Sequence, residues 1–447
     1  MRKSVINPGP SLSPKENKPP EFAPTAQSER IISLDVVRGI AVLGILLMNI
    51  IGFGLANAYD DPTVAGGALG WNYRMWAFGE IFIEGTMRGL FTMLFGLGFM
   101  LFTTRGIRKG AGIETADYYY KRMFWLMIFG LIHSYFLLWY GDILFTYAIC
   151  GMMLFVFRKT KPVNLMVFGV LLLTVGTFRY VADHNNMVET HNGSLKAQVS
   201  QNTDTYSDPA SQKAYNVQKE NKIMQQDYLT ILKHRYPRSR QNQTGNLYNY
   251  NIWDSMAFML MGMAFFSWGI FHGRKSYKFY LAMMAAGYVV GLTINIYEVN
   301  MIKESNFHPV ALTQANLTFH AGRLFTTLGH IGLIMLFIKS GIFRFLQNAL
   351  SAVGRMAFTN YIMQTIICSL MFLGFGFGLF GKLQRYELYY IVLAIWIVQL
   401  IYSPLWFKYF KYGPLEWVWK SLTYSKFQPI LKTVDNPAPD YNRSLQR

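Results

Sequence analysis

The amino-acid sequence predicts an all-α polytopic membrane protein, a bundle of about ten transmembrane helices with one polar extracytoplasmic insert. Three observations predict it: apolar segments of membrane-spanning length, basic residues that alternate between the two ends of those segments, and one long polar stretch that interrupts them. Helices are expected because lipid offers no hydrogen-bond partner to an exposed backbone group, whereas a helix satisfies these groups internally.

The apolar segments follow one another along most of the chain. At a rise of about 1.5 Å per residue, each is about long enough to cross a hydrocarbon core of ~30 Å. They fall at 36–56, 80–103, 123–140, 142–157, 163–181, 252–272, 279–298, 320–338, 356–380 and 388–410.

Lysine and arginine mark one side of the membrane. They gather in the N-terminal arm, in the second, fourth, sixth and eighth connections, and in the C-terminal tail. In the first connection, Arg74 is offset by Asp60 and Asp61, and in the seventh, Lys303 is offset by Glu304. The positive-inside rule therefore places both termini in the cytoplasm of a multi-pass inner-membrane protein. Because the formal charge of +18 sits largely in loops that meet anionic lipid, we expect no nucleic-acid binding.

The chain divides into two bundles and three polar parts. Residues 1–29 are predicted to be a disordered cytoplasmic arm, because they are polar and lack the apolar core of a signal peptide. Residues 30–181 form the first transmembrane bundle and 252–425 the second, each with half of the predicted helices. Residues 182–251 form the extracytoplasmic insert, and 426–447 form a cytoplasmic tail.

The insert has two interpretations. Apolar residues recur at rough helical spacing within 209–234, which indicates some helix there. The insert is then either a partly ordered loop that joins the bundles or a lid over an outward-facing cavity. The two cysteines, Cys150 and Cys368, lie in separate predicted helices, so neither a disulfide framework nor a metal site is expected.

Polar residues inside the membrane are the places to look for function, because a charge at a helix centre costs on the order of 2.5–3.5 kcal/mol. Asp35 and Arg38 share one face at the start of the first helix, either as a cap with a snorkelling arginine or as substrate contacts. Glu80, Glu84 and Arg88 are each four residues apart, which predicts one charged face and a Glu84–Arg88 pair.

A histidine near the membrane midplane is the main catalytic candidate. His133 lies about ten residues into its helix, hence ~15 Å deep, and Asp142 follows after the turn at Gly141. A neutral imidazole can act as general base, proton relay or ligand, although a single histidine in a helix is commonly a packing residue.

Two further groups of polar residues lie in the second bundle. His320 and Arg323 would reach an anionic group at the outer mouth, and His330 is a second, weaker midplane histidine. Asn360 and Gln364 present two amides on one face above Arg355, and such a stripe either joins helices or binds a polar ligand.

Several stretches resemble the YeiB-like bacterial membrane proteins, the domain-of-unknown-function family 418. The resemblance covers about residues 30–425 in the order of the family, with least similarity in the insert. The stretches that carry it are 33–41 (SLDVVRGIA), 94–98 (LFGLG), 130–133 (GLIH), 141–144 (GDIL), 354–361 (GRMAFTNY) and 413–423 (GPLEWVWKSLT).

The resemblance implies two classes of activity. The opening motif is similar to that of transmembrane acyltransferases, including the heparan-type N-acetyltransferases, which pass an acyl group from cytoplasmic acyl-CoA to an outward-facing acceptor. Some members of the family have instead been described as transport proteins. The catalytic histidine of the heparan enzymes follows their first helix, whereas the first histidine of this chain is His133, so that role does not transfer by position.

We therefore expect an acyltransferase that moves an acyl group from acyl-CoA to an envelope glycan or lipid, without a metal. Arg38 and Arg355, with the basic loops, would hold the phosphorylated donor, and Asp35, Arg88 and Arg323 are further candidate substrate contacts. His133 would be the base, oriented by Asp142 or Glu84. Asn360 and Gln364 would donate hydrogen bonds to the acyl carbonyl. The set of candidate site residues is Asp35, Arg38, Glu84, Arg88, His133, Asp142, Arg323, Arg355, Asn360 and Gln364.

The alternative is a transporter in which Glu84, Arg88, His133 and Asp142 form a proton or substrate path. A binding or scaffolding protein of the envelope is a third hypothesis. Dependence on acyl-CoA would separate the transferase from the other two, and gradient-driven uptake would identify the transporter.

Overall fold

The computed structural model describes residues 31–432 apart from Lys109, Ala111 and 201–208. Within 194–212 it describes no side chains. The described chain is all-helical. The predicted arm at 1–29, and the tail beyond 432, lie outside it. Its α-helices are α1 (Ile32–Gly54), α2 (Gly70–Phe78), α3 (Thr86–Arg108), α4 (Glu114–Tyr135), α5 (Leu144–Leu154), α6 (Pro162–Ser200), α7 (Pro209–Met224), α8 (Tyr228–Gln243), α9 (Ile252–Ser267), α10 (Tyr277–Glu304), α11 (Pro309–Ala315), α12 (Phe319–Ser340), α13 (Arg344–Arg355), α14 (Ala357–Phe372), α15 (Arg385–Tyr409) and α16 (Pro414–Thr423).

Each predicted apolar segment overlaps one of these helices, which confirms the multi-helix membrane fold. The number of spans is approximate, because α5 and α9 have only 11 and 16 residues, against about 20 for a full crossing. Helix α14 is likewise apolar but short. In the described chain, six helical stretches are long and apolar enough to cross a membrane: Ile32–Gly54, Gly70–Arg108, Pro162–Gly193, Tyr277–Glu304, Phe319–Ser340 and Arg385–Tyr409.

The helices differ in how deeply they are embedded in the bundle. The most apolar part of α1 is 67% buried, whereas the corresponding parts of α6 and α10 are 22% buried. Helix α1 is therefore central, and α6 and α10 are peripheral. The outward face of α6 carries exposed apolar side chains such as Val167, Leu171 and Phe178, as expected of a surface that meets lipid.

Two glycines let α1 and α13 cross at close range. A Cβ at Gly39 would overlap the carbonyl oxygen of Leu350, and a Cβ at Gly354 would overlap the carbonyl oxygen of Asp35. Small residues at a crossing allow backbones to approach in this way. This contact brings the 33–41 and 354–361 stretches together and fixes the positions of Arg38 and Arg355.

The predicted charged face of Glu80, Glu84 and Arg88 is wrong, because the helix breaks between the two acids and the arginine. A π-helical turn at Gly79–Ile83 is followed by Glu84 with a non-helical ψ of 123° and by Gly85 with φ of +67°. Only glycine adopts this conformation easily. A Cβ there would also overlap the side chain of Arg323, so the break makes room for an arginine from α12.

The insert folds onto the bundle through α8. Asp227 caps this helix by accepting from the backbone N–H groups of Leu229 and Thr230 at 2.9 and 3.1 Å. Arg235 Nη1 donates to the carbonyl oxygen of Leu138 at 2.7 Å, and Asn242 Nδ2 donates to that of Tyr140 at 2.9 Å. The described part of the insert thus packs against the 136–143 loop that follows α4, and both the loop and the lid interpretations stay predictions.

Candidate functional site

His133 lies at the centre of a buried chain of hydrogen bonds. It is on α4, while Asp142 precedes α5 and Thr365 is on α14. His133 Nδ1 lies 2.7 Å from Asp142 Oδ1, and His133 Nε2 lies 2.8 Å from Thr365 Oγ1. The imidazole is fully buried and Asp142 is 4% exposed. The structure therefore joins His133 to Asp142, as the turn between them predicts, whereas their catalytic role stays a prediction.

The partners of Asp142 define the tautomer of the histidine. Asp142 Oδ1 accepts from the N–H of Leu144 at 3.1 Å, and Oδ2 accepts from the N–H of Phe145 at 2.9 Å. A carboxylate that receives these donors is an acceptor only, so His133 Nδ1 carries a proton and donates it to Asp142. Nε2 faces the Thr365 hydroxyl, which can donate to a neutral imidazole or accept from a charged one. The acid, the imidazole and the hydroxyl thus form a continuous buried chain of hydrogen bonds.

A partly open cavity of about 300 Å³ lies on the side of the bundle where α1 and α14 begin and α3 and α13 end. Aromatic and aliphatic side chains line its interior, among them Phe91, Phe95, Phe99 and Leu126. Its charged lining residues in the described part of the chain are Arg38, Arg105, Arg122, Arg355, Lys420, Asp35 and Glu416.

Both acids of the cavity are engaged by neighbouring groups. Asp35 Oδ1 receives Arg38 Nη1 at 3.0 Å, the pair predicted by their spacing. Glu416 Oε1 accepts from the N–H groups of Phe358 and Thr359 at 2.8 and 3.1 Å, and thereby caps α14 from another helix. Among the lining residues that the structure describes, five cations against two acids leave a formal excess of positive charge, so the cavity suits an anionic molecule with an apolar part.

Tyr361 connects this cavity to the buried histidine. It lines the cavity, and its ring meets that of His133 edge to face with centroids 4.9 Å apart. Leu144 and Tyr147, which follow Asp142 on α5, also line the cavity. Asp35, Arg38 and Arg355 therefore lie at the cavity, and His133 and Asp142 lie behind its inner wall.

A second buried cluster of charges collects around Asp254 on α9. Arg323 forms an ion pair with it, and Arg88 Nη2 and His320 Nδ1 lie 3.7 and 3.9 Å from its two oxygens. The predicted Glu84–Arg88 pair is therefore replaced by Arg88–Asp254, because the break at Gly85 redirects the arginine. In the described chain, the Glu84 carboxylate forms no ion pair within 4.0 Å and no hydrogen bond with His133, which leaves Asp142 as the acid that orients the histidine.

Arg323 was expected at an outer mouth, but it is only 2% exposed and its guanidinium lies over the rings of Phe258 and Phe319. The cation–π contacts and Asp254 together explain how an arginine is held in this position. It is a partner of the Asp254 cluster and not part of the cavity.

Asn360 and Gln364 join helices. Gln364 Nε2 donates to Gln399 Oε1 at 3.0 Å and to the carbonyl oxygen of Val42 at 3.3 Å. Asn360 Nδ2 donates to the carbonyl oxygen of Val353 at 3.0 Å, and Asn360 Oδ1 accepts from the Tyr402 hydroxyl. These amides link α14 to α1 and α15, and neither lines the cavity.

Four residues of the sites were not singled out from the sequence: Asp254, Thr365, Tyr361 and Glu416. The sequence does indicate Asp254, since an acid inside the predicted apolar segment 252–272 marks a candidate functional residue. Thr365 is 232 residues from His133 and Glu416 is 57 residues from Thr359, so their roles depend on tertiary contacts that spacing does not predict.

Comparison with known proteins places these features in a family. The chain is 30% identical over 426 residues to "Uncharacterized protein YxaH" of Bacillus subtilis (strain 168). The aligned region covers 92% of this chain and 98% of that protein. The family described as "Protein of unknown function (DUF418)" matches residues 265–426, which include α10 to α16. The chain belongs to the YeiB-like DUF418 family.

Two further relatives of the DUF418 chain match over nearly their whole length. This chain is 28% identical over 420 residues to "Uncharacterized protein YeiB" of Escherichia coli (strain K12). The aligned region covers 90% of this chain and 98% of that protein. This chain is also 30% identical over 413 residues to a 39.9 kDa protein from the amylase 3′ region of Bacillus acidopullulyticus. The aligned region covers 91% of this chain and 98% of that protein. No solved structure matches the chain.

Proposed function

We propose that this DUF418 protein is a membrane acyltransferase that passes an acyl group from acyl-CoA to a glycan or lipid of the envelope. The observation that carries the proposal is the cavity with a basic lining and an apolar interior that ends at Tyr361, against the His133–Asp142 pair. An activated acyl donor has the matching chemistry, since its phosphates are anionic and its acyl arm is apolar.

The cavity would bind the donor from the cytoplasmic side. Arg38, Arg105, Arg122, Arg355 and Lys420 would bind the phosphates, because guanidinium and ammonium groups are the usual phosphate partners in proteins. The aromatic interior would hold the pantetheine arm and carry the thioester towards Tyr361. The acceptor would reach His133 from the opposite side, beneath α8.

The transfer itself needs one base. His133 Nε2 would remove the proton from the acceptor hydroxyl or amine, in the position that the Thr365 hydroxyl now occupies at 2.8 Å. The acceptor oxygen or nitrogen would attack the thioester carbonyl, forming the new acyl bond and breaking the carbon–sulfur bond. The imidazolium would return its proton to the departing CoA thiolate. Asp142 would stabilise the imidazolium and keep Nδ1 protonated.

The test begins with binding. Purified protein should bind acyl-CoA, and Arg38→Gln and Arg355→Gln should weaken binding, each by about tenfold for a lost charge-assisted contact. Arg344→Gln is the matched control, because Arg344 is exposed on α13 and does not line the cavity. Mass spectrometry of envelope glycans and lipids with and without the gene then identifies the acceptor. Absence of acyl-CoA binding by the wild-type protein would reject the donor.

A transporter is the second candidate, favoured by the buried Arg88–Asp254–Arg323 cluster. Ionisable groups inside a membrane commonly mark a path for protons or ions. Purified protein in proteoliposomes would then move a substrate in response to a proton gradient, and Asp254→Asn would stop it. Transport without any need for acyl-CoA would favour this function over the transferase.

A further inference from the structure

A buried hydroxyl at the inner end of the cavity lacks an acceptor for its proton. Tyr361 is 2% exposed, and its hydroxyl completes no hydrogen bond within the part of the chain that the structure describes. The O–H proton is therefore left without a partner, an arrangement that folded proteins rarely leave in place.

The neighbouring tyrosines of the same cavity behave differently. The hydroxyl of Tyr119 donates to the carbonyl oxygen of Gly151 at 2.7 Å, and the hydroxyl of Tyr147 bonds to that of Thr92. Both therefore use their hydroxyls to stabilise the fold. Tyr361 is the cavity tyrosine whose ring contacts His133 in the described chain, so its spare donor belongs to a residue that touches both the cavity and the histidine.

We propose that the Tyr361 hydroxyl donates a hydrogen bond to the carbonyl oxygen of the acyl group. The assignment rests on the proposed function, and it replaces the expectation for Asn360 and Gln364, whose amide protons are taken by Val353, Val42 and Gln399. The bond would strengthen as negative charge builds on that oxygen during attack, which is how a fixed donor favours the transition state.

Matched pairs of ligands isolate this bond. Acetyl-CoA and octanoyl-CoA carry the carbonyl oxygen, and the thioethers S-ethyl-CoA and S-octyl-CoA lack it. Wild-type protein should bind the thioester of at least one pair more tightly than its thioether, by about three- to tenfold for one neutral hydrogen bond. Tyr361→Phe should remove this preference. Tyr119→Phe is the control and should keep it, since its hydroxyl is already occupied by Gly151.

Stability provides a second measurement with the opposite expectation for the two variants. Tyr361→Phe should unfold at or above the wild-type temperature because it removes an unsatisfied polar group, whereas Tyr119→Phe should unfold below it because it loses a hydrogen bond. A carbonyl preference that survives in Tyr361→Phe would overturn the assignment while leaving the proposed donor intact. Failure of the wild-type protein to bind any of the four ligands would reject the donor, and the role of Tyr361 with it.

Discussion

The two ring nitrogens of His133 have different partners, and this difference determines its chemistry. Nδ1 faces a carboxylate that also caps the start of α5, whereas Nε2 faces the neutral hydroxyl of Thr365. A carboxylate can only accept, so His133 donates to it from Nδ1. In the proposed transfer, Nε2 is therefore the ring nitrogen that would act as the base.

Asp254 is the acid whose loss should damage the fold most. It is 7% exposed and faces Arg323, Arg88 and His320, so Asp254→Asn leaves buried guanidinium charge without its counter-charge. We expect a loss of about 3–5 kcal/mol in the free energy of unfolding, measured by denaturant titration in mixed micelles. Glu84→Gln is the control and should cost clearly less, because no ion pair of Glu84 lies within 4.0 Å in the described chain. Equal losses for the two variants would contradict the Arg88–Asp254 assignment.

Glu416 links α16 to the start of α14, and its removal should have opposite effects on stability and binding. Glu416→Ala deletes the acceptor for the N–H groups of Phe358 and Thr359, so thermal unfolding should show a loss of about 1–2 kcal/mol. The same change removes a negative charge from the cavity and should raise its affinity for CoA. Glu304→Ala, at an exposed position at the end of α10, should change neither quantity. A Glu416→Ala protein of unchanged stability would show that the cap does not contribute.

The N-terminal cap of α8 should be sensitive to acid. A hydrogen bond from the Thr230 hydroxyl, assisted by the backbone N–H groups of Thr230 and Leu229, holds the pKa of Asp227 below its ordinary value. A lowered pKa means that the cap stabilises the folded helix fully above about pH 4, and that this contribution is lost as the pH falls through the lowered pKa. Amide hydrogen exchange at Leu229 and Thr230 should therefore lose protection between pH 7 and pH 3.

The substitution Asp227→Asn separates the effect of the negative charge of Asp227 from the effect of its side-chain shape. Asp227→Asn keeps a good capping side chain but does not titrate, so protection at the start of α8 should not depend on pH in this variant. If the Asn variant loses protection over the same range as the wild type, another group is responsible.

The orientation of the whole molecule follows from its basic residues. Both termini should be cytoplasmic, and residues 190–245 should be external. Cysteines introduced at Ser200 and Ser425 test this with an impermeant thiol reagent on intact cells, and the background should be low because Cys150 and Cys368 are buried. Labelling at Ser200 alone is expected. Labelling at Ser425 alone would reverse the orientation and place the basic cavity on the outside.

Much of the molecule could be predicted because the membrane constrains sequence strongly. Apolar length and helical spacing located every predicted helix, and they paired Asp35 with Arg38 and His133 with Asp142 across short separations. The Glu84–Arg88 prediction failed because regular helical spacing does not allow for the break at Gly85. The spare hydroxyl of Tyr361 and the Asp254 cluster arise from contacts between distant helices, which no local pattern contains.

Transfer of label from acyl-CoA tests the central claim most directly. Everted membrane vesicles that contain the protein, supplied with radiolabelled acyl-CoA, should incorporate label into envelope glycan or lipid. His133→Gln should lower the rate by about a hundredfold or more, because glutamine can hydrogen-bond but cannot take the proton. Thr365→Ser, which keeps a hydroxyl at Nε2, should retain most of the rate. Transfer by His133→Gln at the wild-type rate would contradict general-base catalysis, and vesicles that incorporate no label from any acyl-CoA would contradict the transferase.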